Sequence, residues 1–364
     1  MRSINNILDL SKEELVALIE KGEDILEHPS NYAHACEGKK LATLFYEPST
    51  RTRLSFTSAM MELGGQVLGF SSASTSSVSK GETIHDTMKV VSNFVDIIAT
   101  RNPLEGAALV SMEAADVPVI NAGDGGHFHP TQTLGDLLCI YKERHSLDNL
   151  TLGICGDLLY GRTVHSLLSA FSYFKNIKVV LISPKELALP SFVKENILEK
   201  NHMPYQEVSS LEEAIPSLDI LYMTRVQKER FASLETYERL KDSYILDAKK
   251  MERGRKDLMV LHPLPRVNEI AEEVDDDPRA FYFKEVLAGK FMREALILTL
   301  LEDAKKNPVK ENRRKGLTFL KDHAPCTNPK CVSLAERDLH PTFVVDSEEK
   351  HTCHCYYCDK ESTF

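Results

Sequence analysis

Apolar positions along this chain fall into short β-rich runs separated by longer stretches of helical periodicity, and the alternation continues from Lys40 to Pro263. The runs predict strands at Leu41 to Phe45, Gln66 to Phe70, Val95 to Thr100, Val117 to Ala122, Leu150 to Cys155, Lys178 to Ser183, Ile220 to Thr224, Tyr244 to Asp247 and Leu258 to His262. Strands alternating with helices build a mainly parallel sheet with helices on its faces. These are more strands than one small open sheet usually holds, and the helical stretch Thr131 to Arg144 is placed to join two sheets. The expected fold class is therefore α/β, with two domains that each hold a mainly parallel sheet flanked by helices. Phe281 to Glu302 predicts a long final helix that returns to the first domain.

Beyond Asp303 the periodicity fails. Lys305-Lys-Asn-Pro308 and Lys310-Glu-Asn-Arg-Arg-Lys315 form a charged connector, and residues 316–364 are too few to build a stable core unaided. This tail is expected to lean on a metal or on a partner surface. The 364 residues and 42% hydrophobic content supply enough apolar side chains for two or three domains. Charged residues from Asp9 to Lys21 interrupt the N-terminal segment, and no apolar run is long enough to span a membrane, so a cytoplasmic protein without a membrane partner is expected. A formal net charge of −10 argues against a nucleic-acid partner and repels small anions at long range, so an anionic substrate needs locally clustered arginines.

Ser49-Thr50-Arg51-Thr52-Arg53 is such a cluster. It follows the first strand and precedes the helical stretch Leu54 to Leu63, and Pro48 and Ser49 are helix-opening residues. Free backbone N–H groups, the positive end of the helix dipole and a guanidinium then converge on one point, which fits a phosphate. Residues two apart on a helix face different ways, so Arg51 rather than Arg53 is assigned to the ligand. The Ser-rich segment Ser71 to Ser79 reads as a mobile loop that ends in Lys80-Gly-Glu-Thr83 and carries one ammonium. Arg101 follows a strand, and His129 follows Gly123-Asp-Gly-Gly126 just before a helix. Open α/β sheets gather ligands at such C-terminal strand ends.

The second half repeats the pattern. Gly153-Ile-Cys-Gly156-Asp157 followed by Gly161-Arg162-Thr163 lacks the spacing of a dinucleotide fingerprint, and Arg162 opens the next helix. Thr224-Arg225-Val-Gln227 and His262-Pro-Leu-Pro-Arg266 are strand-end loops, the latter held extended by two X-Pro units. The collection has cationic and amide groups but no nucleophile beside a base and no phosphate-binding glycine loop. It suits a reaction that binds two anions, orients them and stabilises an oxyanion without a covalent intermediate.

The eight cysteines form two populations: Cys36, Cys139 and Cys155 are isolated in apolar surroundings, whereas five crowd the C-terminus. Cys326 and Cys331 make one close pair, Cys355 and Cys358 another, and two such pairs suit a structural tetrahedral zinc site. Cys353 and His354 are additional candidates, although the two-residue spacing favours Cys355. A pair of disulfides is the competing reading, and nothing in the sequence indicates an oxidising compartment.

The motifs Ser49-Thr-Arg-Thr-Arg53, Lys80-Gly-Glu-Thr83, His129-Pro-Thr-Gln132, Gly156-Asp-x-x-Tyr-Gly-Arg-Thr163, Tyr222-Met-Thr-Arg-Val-Gln227 and His262-Pro-Leu-Pro-Arg266, in this order, resemble the aspartate carbamoyltransferase family from about Asn5 to Asp303. The resemblance implies transfer of the carbamoyl group of carbamoyl phosphate to L-aspartate in pyrimidine synthesis, with no cofactor required for catalysis. It implies a carbamoyl-phosphate-binding domain at 1–134 and 286–306, and an aspartate-binding domain at 135–285. Ser49, Thr50, Arg51, Thr52 and Arg101 are then expected at the phosphate, with Thr52, Arg101 and His129 at the carbamoyl oxygen and Gln132 at the carbamoyl amide. Arg162, Arg225 and Gln227 are expected at the aspartate carboxylates, and the backbone at Pro263 and Leu264 at the amino groups. Ser77 and Lys80 are expected in the neighbouring subunit's site, with Ser76 or Ser79 as alternatives to Ser77, which makes a homotrimer the smallest catalytic unit. Glu47 is expected to pair with Arg162 and Arg230 on closure over substrate.

Cys326-Thr-Asn-Pro-Lys-Cys331 and Cys355-Tyr-Tyr-Cys358 resemble the zinc domain of the family's separate regulatory chain, which implies a fused zinc-binding domain at 323–364 after a linker at 307–322. The regulatory chain's nucleotide-binding domain has no room between Asp303 and Cys326, so control by ATP or CTP is not expected. Ornithine carbamoyltransferase shares the phosphate motif but shows an Asp-x-x-x-Ser-Met-Gly loop and His-Cys-Leu-Pro, both absent here. An inactive assembly partner is the remaining alternative.

Overall fold

The computed structural model describes residues 1–226, 235, 238, 244–320 and 325–364. They form two compact units, the first from Met1–Asp9, Glu20–Thr131 and Lys290–Phe364, the second from Leu10–Ile19 and Gln132–Gly289. Helix α1 (Lys12–Glu27) is therefore divided between them, as is the final helix Tyr282–Lys306.

In the first unit, strands β1 (Lys40–Phe45), β2 (Gln66–Phe70), β3 (Ile97–Asn102) and β4 (Val119–Asp124) form a parallel sheet in the order β2-β1-β3-β4. The three inner and final strands are buried almost throughout, as expected where helices cover both faces, whereas the edge strand β2 is largely exposed. Helices α2 (Thr50–Glu62), α3 (Ile84–Val91) and α4 (Ala107–Ala114) supply the connections. The expected helix at Leu54 starts earlier, at Thr50, because Ser49 takes the extended N-cap conformation. The Ser-rich segment, expected as a mobile loop, forms two short 3-10 turns held by its own hydroxyls, with Thr75 Oγ1 donating to Ser72 O at 2.9 Å and Ser76 Oγ to Ala73 O at 2.9 Å.

The second unit holds β5 (Thr151–Cys155), β6 (Lys178–Ile182), β7 (Tyr205–Val208), β8 (Ile220–Met223) and β9 (Met259–Leu261) in a parallel sheet ordered β7-β6-β5-β8-β9. Helices α5 (Pro130–Arg144) and α6 (Arg162–Phe171) follow β4 and β5. One expected strand is not formed: Tyr244 to Asp247 makes only an isolated bridge, Leu246 with Ile270. The strand at Tyr205–Val208 was not expected from the sequence. It lies at the sheet edge, where only one side is paired and a long apolar run is not required.

The tail forms an antiparallel sheet of β10 (Phe343–Ser347), β11 (Thr352–Cys355) and β12 (Glu361–Thr363). Its cysteines, Val332, Phe343, Tyr356 and Tyr357 join one apolar cluster with Ile84, Met88 and the residues of α4. The tail's buried surface is thus completed by the first unit, which answers the shortage of core that its length imposes.

Candidate active site and metal centre

In each sheet the strand order reverses once, and ligand crevices of open α/β sheets lie outside the carboxyl ends at that point. In the first unit it falls between β1 and β3, where Phe45 is in register with Arg101. β1 leads directly to Ser49 and the start of α2. Ser49 is extended (φ −153°, ψ 91°) and its side chain makes no cap hydrogen bond, so the hydroxyl does not occupy the helix start that an anion would use. Thr52, in the first turn, is buried.

Arg101 Nε donates to Glu47 Oε1 at 2.7 Å. His129, 6% exposed, comes from the loop after β4. Gly123 lies between them: its φ of +124° favours glycine, and a Cβ there would stand 3.5 Å from His129 Cδ2 and 3.7 Å from Arg101 Cζ. The side chains of Arg101 and His129 therefore converge on one spot. Thr131 Oγ1 accepts from Arg293 Nη2 at 3.3 Å and faces His129 Nδ1 at 3.5 Å. Thr131 thus links the Arg293 guanidinium to the His129 ring, and the tautomer of the ring sets which of Oγ1 and Nδ1 donates. Ser77 and Lys80 are exposed on the second 3-10 turn.

In the second unit the reversal falls between β5 and β8, and one hydroxyl joins the two strand ends. Thr224 Oγ1 donates to Cys155 O at 3.0 Å and accepts from Asp157 N at 2.9 Å. Gly156, at φ +117°, passes so close that a Cβ would meet Thr224 O at 2.3 Å. Arg162 is the first residue of α6 and Arg225 directly follows Thr224, so both arginines leave this joined edge. Gln227 and Arg230 lie outside the described residues.

Gln132 Nε2 donates to Asp136 Oδ1 at 2.8 Å and to Glu285 Oε1 at 2.6 Å, while Glu285 Oε2 accepts from His262 N at 3.0 Å. Burial, with Asp136 beside it, pushes the Glu285 carboxyl well above the usual carboxylate range. Leu264 N donates to His262 Nδ1 at 2.7 Å, which puts the ring proton on Nε2, 2.6 Å from Glu269 Oε1. Burial acts to raise the Glu269 carboxyl, but the His262 hydrogen bond and backbone donors outweigh it and hold it below its ordinary value. This buried network fixes the Pro263–Leu264 backbone, where Leu264 adopts φ 51°, a left-handed turn rather than the extended form expected of the two X-Pro units, its N–H being drawn to His262 Nδ1. Glu285, Glu269 and Asp136 were not singled out in the sequence; Glu285 lies 153 residues from Gln132, and Asp136 and Glu269, though near Gln132 and His262, belong to no motif that marks them.

In the tail, the sulfurs of Cys326, Cys331, Cys355 and Cys358 all lie within 4.8 Å of one another and all four residues are buried. Cys326 and Cys358 Sγ are 3.6 Å apart, and Cys331 and Cys355 Sγ 3.7 Å. Four thiolates about 2.3 Å from a tetrahedral ion stand about 3.8 Å from each other, so the spacing fits a metal rather than disulfides. Cys353 and His354 are not in the cluster; His354 Nδ1 instead pairs with Asp346 at 2.6 Å. Among the described residues, no helix is long and apolar enough to cross a membrane.

Residues 2–142 match the family model for the aspartate/ornithine carbamoyltransferase carbamoyl-P binding domain, residues 148–300 the Asp/Orn binding domain, and residues 320–364 the metal binding domain of the aspartate carbamoyltransferase regulatory chain. The chain is 59% identical over 301 residues to an aspartate carbamoyltransferase catalytic subunit of Lachnoclostridium phytofermentans, covering 83% of this chain and 98% of the relative. It is 57% identical over 296 residues to one of Clostridium perfringens, covering 81% and 96%. Among solved structures, the catalytic subunit of M. jannaschii aspartate transcarbamoylase superposes with a TM-score of 0.78 at 44% identity, over 84% of this chain and 99% of that one. The Trypanosoma cruzi enzyme in complex with N-(phosphonacetyl)-L-aspartic acid gives 0.77 at 35% identity, over 82% and 95%. The chain belongs to the aspartate/ornithine carbamoyltransferase family, as an aspartate carbamoyltransferase catalytic chain that carries the regulatory chain's metal-binding domain in the same polypeptide.

Proposed function

We propose that the first unit's strand-end set binds carbamoyl phosphate and the second unit's set binds L-aspartate. The observation that carries the reading is the convergence of Arg101 and His129 around Gly123, with Arg101 in register with Phe45, the last residue of the strand that leads into α2. Ser49, Thr50, Arg51, Thr52 and Arg101 hold the phosphate, and Gln132 contacts the carbamoyl amide. Arg162, Arg225 and Gln227 hold the aspartate carboxylates, with the Pro263 and Leu264 backbone at the amino groups. The neutral amine attacks the carbamoyl carbon, the carbonyl π pair moves onto oxygen beside Thr52, Arg101 and His129, and collapse of this oxyanion expels phosphate while the amine loses its proton. Ser77 and Lys80, exposed on this chain, serve a neighbouring subunit in a homotrimer in the cytoplasm. Lys80 there stabilises the departing phosphate.

Cys326, Cys331, Cys355 and Cys358 hold a structural Zn²⁺. Four thiolates saturate the ion, so it supplies rigidity to the tail and no open coordination position. Offering carbamoyl phosphate with aspartate or ornithine in parallel tests the substrate assignment: carbamoylation of aspartate alone is expected, and turnover of ornithine overturns it. Elemental analysis of the purified chain tests the metal.

A further inference from the structure

We infer, resting on the site reading above, that His127 is a positioning residue through which the four-cysteine module holds the loop that sets His129 against Arg101. Its imidazole is gripped from two sides, with Nδ1 3.1 Å from Asp124 Oδ2 and Nε2 2.9 Å from Asp359 Oδ2. Asp359 directly follows Cys358, so one grip comes from the edge of the cysteine cluster itself. The other comes from the end of β4. Asp124 is fully buried; its Oδ1 accepts from Asn121 Nδ2 at 2.9 Å and from Phe128 N at 3.0 Å, and its Oδ2 accepts from Gly106 N at 3.0 Å. It thereby ties the loop before His129 to the loop after Arg101.

Glu105 makes a second strut between the same parts. Its backbone pairs with the module, Glu105 N donating to Lys330 O at 2.9 Å and Val332 N to Glu105 O at 3.0 Å, on either side of Cys331. Its carboxylate takes Asn328 Nδ2 at 2.6 Å and, from the His129 loop, Gly126 N at 3.1 Å. The His127 ring lies 3.7 Å, centroid to centroid, from that of Phe128, the residue before His129. Both loops that carry reacting groups are therefore anchored to residues adjoining metal ligands. At Gly123 the Arg101 and His129 side chains border one methyl-sized space, so a shift of either loop changes their separation directly.

The test uses full-length, metal-loaded protein well below its melting temperature, with Asp359→Ala and His127→Ala compared with Asp346→Asn, a change elsewhere in the module. Displacing a catalytic group by a fraction of an ångström costs about tenfold or more in rate, so both variants are expected to lose about tenfold in kcat with KM for aspartate and metal content unchanged, while Asp346→Asn keeps full turnover. In a His129→Ala background the same substitutions are expected to cost little, because they act through that imidazole. Wild-type kcat in both variants, with only a lower melting temperature, overturns the inference, as does an undiminished loss in the His129→Ala background. Wild-type turnover in His129→Ala alone is a separate result that overturns the site reading itself.

Discussion

Arg101 Nε donates to Glu47 Oε1 over 2.7 Å, and both residues sit at the strand ends where the first sheet reverses. The bond engages one edge of the guanidinium and so directs its terminal nitrogens. Arg51→Ala, Arg101→Ala and His129→Ala are each expected to lower kcat by about a hundredfold, roughly 3 kcal/mol per preorganised donor, without a matching fall in melting temperature. Glu47→Gln keeps an acceptor at the same place and Glu47→Ala does not, so the alanine variant is expected to be the slower. Equal kcat in the two would show that Glu47 does not orient Arg101.

A pH dependence of stability is expected from Glu294. This residue is 2% exposed; burial, against the opposing effect of Lys290 at 3.6 Å and with Glu62 nearby, raises its carboxyl from 4.5 to about 7. The folded state then keeps a proton that the unfolded chain releases, so this group's contribution falls as pH rises from about 4.5 to about 7 and is level outside that window. Glu294→Gln is expected to flatten that part of the profile, measured by chemical denaturation at a series of pH values. An unchanged slope would remove Glu294 as its source.

Gly156→Ala is expected to destabilise the second unit by about 1–3 kcal/mol, because the new methyl meets Thr224 O at 2.3 Å and the residue sits at φ +117°. The added carbon pushes on the strand end that carries Arg225, so KM for aspartate should rise more than KM for carbamoyl phosphate. Equal changes in both constants would detach this strand end from aspartate binding.

Metal removal is expected to act on the first unit. Cys331 stands in the backbone bridge to Glu105, and Cys331→Ser or prolonged chelation should lower the melting temperature and release zinc, followed by a chromophoric chelator. Retention of the native melting temperature after complete metal loss would show that the module folds without an ion.

Much of this was legible in the sequence because parallel sheets bury whole strands and place their chemistry just beyond them. Leu41 to Phe45 reads as a β-rich apolar run, and Arg101, Arg162 and Arg225 lie next to such runs or just beyond them. Tyr205–Val208 escapes the same reading because an edge strand need not be apolar, while Tyr244 to Asp247 has strand-like residues but pairs only through Leu246. The four metal-site cysteines announce themselves by spacing. Glu105 and His127 do not: their partners Asn328 and Asp359 lie 223 and 232 residues away, and a lone Glu or His carries no local signal of such a contact. Fold-scale pattern is local in sequence, whereas the ties between a fused tail and a catalytic loop exist only once the chain has closed on itself.

The connector after the final helix is stitched down as well, with Arg313 on Asp9 at 3.0 Å, Arg314 on Glu113 at 2.8 Å and Met1 O accepting from Glu311 N at 3.1 Å. Joining the cysteine module to its seat in this way turns what would be a bimolecular docking into an internal one, with an effective concentration that no dilution lowers. Even undocked, the module stays tethered beside its seat and rebinds at that same effective concentration.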